Sequence, residues 1–221
     1  MPALLNNKVF FFHIPKTGGN SIINQLDTHR SNRFVDGFFN IPPYRINCRH
    51  ATPRQIVQYK MFSGSLKDAY KFCVIRNPWD KLVSSYTWLY HVCVNENFEE
   101  YILQVERFVK EDQGILENII PGRVWPHEYC AEDLISNQFL PQSHYTHPWG
   151  DELYMDKVCR FENLEQDTNI IKEETGLCFD LLHENASTRE KSYKDYYTTK
   201  TRKIIGELYE KDIELYEYKF D

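Results

Sequence analysis

Val9-Phe10-Phe11-Phe12-His13-Ile14-Pro15-Lys16-Thr17-Gly18-Gly19-Asn20-Ser21 is an apolar run that breaks into Pro-Lys-Thr-Gly-Gly and then turns amphipathic. It reads as strand, anion-binding loop and helix. Bulky aromatic and β-branched residues without polar alternation fit a strand buried on both faces. Gly18 and Gly19 let the backbone turn tightly and come close to a ligand. Asn20 or Ser21 is expected to cap the helix that follows. The unpaired N–H groups at that helix start, its dipole and Lys16 would together make a pocket for an anion. The chemistry to look for is therefore that of phosphate or sulfate.

A nucleoside-triphosphate loop places its Lys directly after the last Gly and before Ser or Thr, whereas here Lys16 precedes both glycines. No Gly-Lys-Ser/Thr triplet occurs in the chain. A turn of this kind also serves merely to join a strand to a helix, so a second element is needed. Phe72-Cys73-Val74-Ile75-Arg76-Asn77-Pro78-Trp79-Asp80-Lys81-Leu82-Val83-Ser84 supplies it, another buried-strand pattern running into Arg-Asn-Pro and a helix. Pro78 suits the first helical turn and Asn77 its cap. Ser84 lies about two turns along at ~3.6 residues per turn, so its hydroxyl can face back towards the strand end and Arg76. Arg offers a planar fork to a phosphate, and Ser adds a neutral donor. The plainer alternatives are a surface ion pair for Arg76 and a solvated helix position for Ser84.

Together the two segments resemble the nucleotide-binding signatures of the sulfotransferase superfamily, in particular the carbohydrate branch related to the heparan sulfate 2-O enzymes. The resemblance implies a P-loop-like three-layer α/β sandwich, its central parallel sheet flanked by helices. It implies 3′-phosphoadenosine 5′-phosphosulfate (PAPS) as donor and 3′-phosphoadenosine 5′-phosphate (PAP) as product. The 5′-phosphosulfate end would be held by Lys16, Thr17, Gly18, Gly19, Asn20 and Ser21, and the 3′-phosphate by Arg76 and Ser84. Val158-Cys159-Arg160-Phe161-Glu162-Asn163-Leu164 looks like the family's later strand-to-helix junction, and Tyr209–Tyr216 also looks familiar. His50, between the two nucleotide elements, resembles the catalytic His of the 2-O branch. An imidazole is well matched to taking a proton from an acceptor hydroxyl near neutral pH. Glu96 or Glu99 is the reserve base, because some branches use a carboxylate. Lys16 would bind the bridging oxygen as the sulfur–oxygen bond breaks, acting most strongly where charge grows in the transition state.

Composition is compatible with this without choosing it. With 221 residues, 42% of them hydrophobic and 15% aromatic, the chain is long enough for one ordinary core. A single domain over 1–221 is expected, with an irregular acceptor-binding region at about 95–150. The net charge of −6 disfavours broad nucleic-acid or anionic-membrane binding. No signal peptide or spanning segment is legible, from which either a cytoplasmic protein or a chain trimmed to its catalytic domain is expected. The six cysteines (48, 73, 93, 130, 159 and 178) form no Cys-x-x-Cys pair, so a metal site is not expected and reduced thiols are.

Helices are expected near 20–30, 79–93, 98–111, 163–175 and 198–216, with another beginning at Pro53 after a Thr52 cap. Alternation of strand and helix implies a parallel sheet. His13 is expected to be structural. His127, His144 and His147 are candidates for substrate contact. Asn185, Ser187, Arg189 and Lys191 are candidates for the 3′-phosphate or acceptor, and Arg160 for the nucleotide. Tyr193, Tyr196 and Tyr197 are expected to pack at the sheet edge. The rivals are a divergent nucleotide kinase, which would need ATP and Mg²⁺, and a catalytically silent PAP-sensing domain.

Overall fold

The computed structural model describes residues 2–4, 8–26, 33–34, 38–41, 44–62, 64–90, 97–118, 134–135, 137–181 and 191–221. Among them the elements run β1 (Pro2–Leu4), β2 (Val9–Phe12), α1 (Gly19–Leu26), β3 (Arg33–Phe34), β4 (Phe38–Ile41), β5 (Tyr44–Asn47), α2 (Pro53–Gln58), β6 (Tyr70–Ile75), α3 (Pro78–Tyr90), α4 (Phe98–Asn118), β7 (Leu134–Ile135), α5 (Ser143–Thr146), β8 (Lys157–Arg160), α6 (Leu164–Thr175), α7 (Thr199–Leu208) and α8 (Glu210–Tyr216). The chain forms two compact units. The first comprises Met1–Asn40, Ile46–Arg76 and Gln142–Ala186, and the second Ile41–Arg45, Asn77–Pro141 and Ser187–Asp221.

The first unit has the expected α/β architecture. Its five-stranded sheet has the order β3-β1-β2-β6-β8. The three strands β2, β6 and β8 are parallel, with Phe11 opposite Phe72 and Val74 opposite Cys159. β1 pairs antiparallel with both β2 and β3. Because successive side chains of a strand point to opposite faces, β2 serves two layers at once. Val9 and Phe11 join Phe72, Val74 and Cys159 under Ile22, Ile23 and Leu26 of α1 and Ile171 of α6. Phe10 and Phe12 face the other way, meeting Phe62 and Tyr154 edge-on. All four β2 side chains are buried, each of the three phenylalanines completely. Burial at that level stabilises by roughly 1.5–3 kcal/mol per side chain, which is why an unalternating aromatic run is stable here.

The second unit is helical in α3, α4, α7 and α8. Tyr101, Ile102, Val105 and Val109 form the buried stripe of α4. The helix extends to Asn118, past the expected 111, and Asn97 caps its start through Oδ1, which accepts from Glu100 N–H. The expected helix over 198–216 is two helices, broken at Tyr209. None of Leu208, Tyr209 and Glu210 at the break is Gly or Pro; the nearest glycine, Gly206, lies within α7. Tyr209 is buried, and its hydroxyl donates to the Phe139 carbonyl at 2.9 Å, so tertiary packing sets it. Tyr193 and Tyr197 pack on Phe220, and Tyr196 on Phe98 and Tyr86. These tyrosines belong to the helical unit, not to the sheet edge where they were expected.

Two caps match their sequence signals. Thr52 and Gln55 form a reciprocal capping box at α2. Asn77 Oδ1 accepts from Trp79 N–H at the start of α3. The capping expectation for α1 is corrected: the helix begins at Gly19, so Asn20 and Ser21 lie inside its first turn.

Candidate functional site

The carboxyl ends of parallel strands are where open α/β sheets bind ligands, since loops diverge there above helix N-termini. Beyond β2 the chain passes through His13 and Ile14 into the Lys16–Gly18 loop and straight into α1. Lys16 has φ 65° and Gly18 φ 83°, while Thr17 between them does not enter positive φ. Alternation of this kind turns successive backbone N–H groups into an anion-binding concavity. Glycine accepts positive φ without cost, but for lysine it costs on the order of 1–2 kcal/mol. Two contacts hold the lysine there. The wholly buried Thr17 donates through Oγ1 to the Ile14 carbonyl at 2.9 Å, and Arg76 Nη1 donates to the Lys16 carbonyl at 3.2 Å.

Arg76 follows the last residue of β6 and is buried. The side-chain amide of Gln142 grips its backbone on both sides. Arg76 N–H donates to Oε1 at 2.8 Å, and Nε2 donates to the Arg76 carbonyl at 2.9 Å. The guanidinium lies 4.0 Å above the Phe161 ring. Phe161 also underlies the loop: a Cβ placed on Gly18 would fall 2.8 Å from its Cδ2. One aromatic ring thus backs both the arginine and the glycine turn. Burial, and then the Arg76 charge, push the Lys16 ammonium down to about 8. Two cations close enough for the charge of one to depress the other suit an anionic ligand.

His50 ends a short helical turn over Cys48–His50, just before α2. Its Nδ1 donates to the His13 carbonyl at 3.0 Å, and its own carbonyl accepts from the Tyr145 hydroxyl at 2.7 Å. A carbonyl only accepts, so this contact puts the imidazole proton on Nδ1 and the lone pair on Nε2. Burial foremost, with help from the Arg49 and Lys16 cations, lowers the His50 pKa to about 4. The neutral ring, with its basic nitrogen set by geometry, is the form a general base requires. The His13 and His50 rings lie 4.6 Å apart.

The structure therefore brings Lys16, Thr17, Gly18, Gly19, Arg76 and His50 into one bonded neighbourhood of the first unit. Asn20 is exposed and Ser21 partly buried in the first turn of α1, where Ser21 N–H donates to the Gly18 carbonyl. Ser84 is a partly buried residue of α3 in the second unit. His144 and His147 flank or belong to α5, with His147 Nδ1 2.9 Å from Thr146 Oγ1. Glu99 pairs with Lys200 at 3.0 Å in the second unit. The Arg160 backbone N–H donates to Asp167. Lys191 is exposed. Glu96, His127, Asn185, Ser187 and Arg189 lie outside the described residues, as do Cys93 and Cys130.

Gln142, Phe161 and Tyr145 support the site without a sequence signal that singles them out. Cys73 and Cys159 are buried in their strands; burial pushes the Cys159 thiol up to about 12 and Cys73 well above its ordinary value, so both are inert. Among the described residues, no group of three or more His, Cys, Asp or Glu is placed to hold a metal ion. Among them, too, no helix is long and apolar enough to cross a membrane. A model described as the sulfotransferase family matches residues 5–219. No curated protein and no solved structure matches the chain.

Proposed function

The chain belongs to the sulfotransferase family, and we propose that within it this protein moves a sulfuryl group from PAPS to a hydroxyl, on a saccharide acceptor. The observation that carries the reading is the Lys16–Gly18 loop with its alternating φ, held through the Lys16 carbonyl by Arg76. The loop and the start of α1 receive the 5′-phosphosulfate, and Arg76 the 3′-phosphate. Ser84 enters through its spacing of eight residues from Arg76 in the sequence. The continuous match over residues 5–219 supports treating 1–221 as one functional domain.

In the transfer, the acceptor oxygen forms a bond to sulfur while the bond from sulfur to the bridging oxygen breaks. His50 Nε2 takes the hydroxyl proton, and PAP leaves with the electron pair of the broken bond. Lys16 stabilises the charge that develops on the bridging oxygen, the kind of interaction that lowers a barrier because it strengthens in the transition state. At a pKa of about 4 in the unliganded protein, His50 is a weak base. A polyanionic donor seated beside it favours the imidazolium and raises that pKa towards the working range. The coenzyme therefore activates the base that acts on its partner substrate.

Thermal stabilisation by PAP, measured beside ATP with Mg²⁺, tests the assignment. Selective stabilisation by PAP supports it. Selective stabilisation by ATP with Mg²⁺ would return the chain to the nucleotide-kinase alternative. Binding of PAP with no turnover on any acceptor would leave a silent sensing domain.

A further inference from the structure

His13 is buried to 4% exposure and lies between the strand end and the anion loop. Its Nδ1 is sealed from solvent and has no hydrogen-bond partner among the described residues. A buried N–H without an acceptor is rare and costly, whereas a bare lone pair is tolerated more readily. The ring therefore carries its proton on Nε2. That edge is pressed against the first residue of α1: a Cβ on Gly19 would overlap His13 Cδ2 and fall 2.5 Å from Nε2. Phe11 stacks on the ring at a 5.7 Å centroid distance, and the His50 ring approaches from another side, so the orientation is fixed. Burial, together with His50, Arg49 and Lys16, holds the His13 pKa well below its ordinary value, which keeps the ring neutral.

We propose that His13 is a neutral hydrogen-bond donor whose Nε2–H reaches the oxyanion seated at the start of α1. The ligand class is a tetrahedral oxyanion, either the 5′-phosphate or the sulfuryl group of the donor, and this assignment rests on the sulfonucleotide reading above. Neutrality has a purpose at this position. A third full charge beside Lys16 and Arg76 would raise the cost of the empty site, while an N–H dipole adds a bond without that repulsion. The glycine at position 19 is then required on two grounds, since any side chain there would displace the ring.

Protein labelled with ¹⁵N-histidine and read by long-range ¹H–¹⁵N spectra reports the tautomer directly. The expected result is neutral His13 protonated at Nε2 from pH 5.5 to 8, with that resonance shifting as inorganic sulfate or PAP is added. His13→Phe keeps a ring but removes the donor, and His13→Gln returns an N–H near the same point. With Phe, either PAP affinity or kcat should fall at least fivefold, and Gln should restore half or more of the loss. Loss of PAP affinity places the donor on the 5′-phosphate, and loss of kcat alone places it on the sulfuryl oxygens. A proton on Nδ1, no response to saturating sulfate, or a folded Phe variant within twofold of the parent in both quantities overturns the proposal. If the Phe variant does not fold, the tautomer and the sulfate response of the parent protein decide. If PAP fails to bind the parent protein, the sulfonucleotide reading falls, while the sulfate response still decides the role of His13.

Discussion

If PAP is the ligand, as proposed, the depressed Lys16 pKa should make its affinity a function of pH in a window where little else in the loop titrates. Lys16 in the unliganded protein sits at about 8, lowered first by burial and then by Arg76. A bound polyanion favours the ammonium, so binding takes up a proton wherever the free protein has lost it. With a free-state value of 8, the protonated fraction falls from about nine-tenths at pH 7 to about one-tenth at pH 9, so affinity should drop about tenfold, or ~1.4 kcal/mol. The phosphates of PAP lose their last protons near pH 6, below the window. His50, at about 4, also lies below it. Lys81, in the second unit, is likewise pushed down to about 8 by burial and needs a control. Lys16→Arg supplies one, because guanidinium stays charged throughout while Lys81 is untouched. Calorimetric titration with PAP at pH 7, 8 and 9 should show the tenfold fall in the parent protein and a flat profile in Lys16→Arg. A parent profile flat within twofold, or the same slope in both proteins, would refute the role given to Lys16.

Other consequences are more local. Gln142→Leu leaves both backbone groups of Arg76 without the amide that grips them, at about 1–3 kcal/mol for each buried group, so chemical denaturation should show a loss of several kcal/mol. PAP affinity should fall with it, because the arginine loses its anchor. Gly18→Ala adds a Cβ against Phe161 at φ 83°, and a drop in melting temperature equivalent to about 1–3 kcal/mol is expected, with loss of PAP binding. For His50 the folded pKa lies below the unfolded value of about 6.5, so below that pH the unfolded chain gains a proton that the folded chain refuses. Stability should therefore decline as pH falls from 6.5 towards 4, with up to about 3 kcal/mol of the loss from His50, and His50→Gln should make that limb shallower in urea melts while the slope from buried neutral His13 remains.

The parts of the site legible in the sequence are those whose physics is local. An unalternating apolar run needs burial on both faces, so Val9–Phe12 and Phe72–Ile75 could be recognised as central strands. Thr52 and Asn77 cap helices by reaching their own neighbours, and both signals held. The α1 boundary moved because Gly19 enters the helix without a side chain to announce it. Gln142 is 66 residues from the backbone it grips, and nothing in Leu140-Pro141-Gln142-Ser143 distinguishes its amide from an exposed one. Phe161 was visible as part of a strand-to-helix junction, but its contact with Arg76 is created only when β6 and β8 pair. The break at Tyr209 is equally tertiary, fixed by burial and a carbonyl 70 residues away. His13 looked structural from its place on an apolar strand; what distinguishes it is one sealed nitrogen, which no sequence pattern reports.

Transfer of labelled sulfuryl from PAPS to a panel of hydroxyl acceptors, saccharides foremost, decides whether the protein catalyses the proposed reaction. Labelled product with stoichiometric PAP is expected from the parent protein, with at least a hundredfold loss of turnover in Lys16→Ala, in line with removal of one transition-state charge partner at about 3 kcal/mol. Full turnover in Lys16→Ala would contradict that expectation.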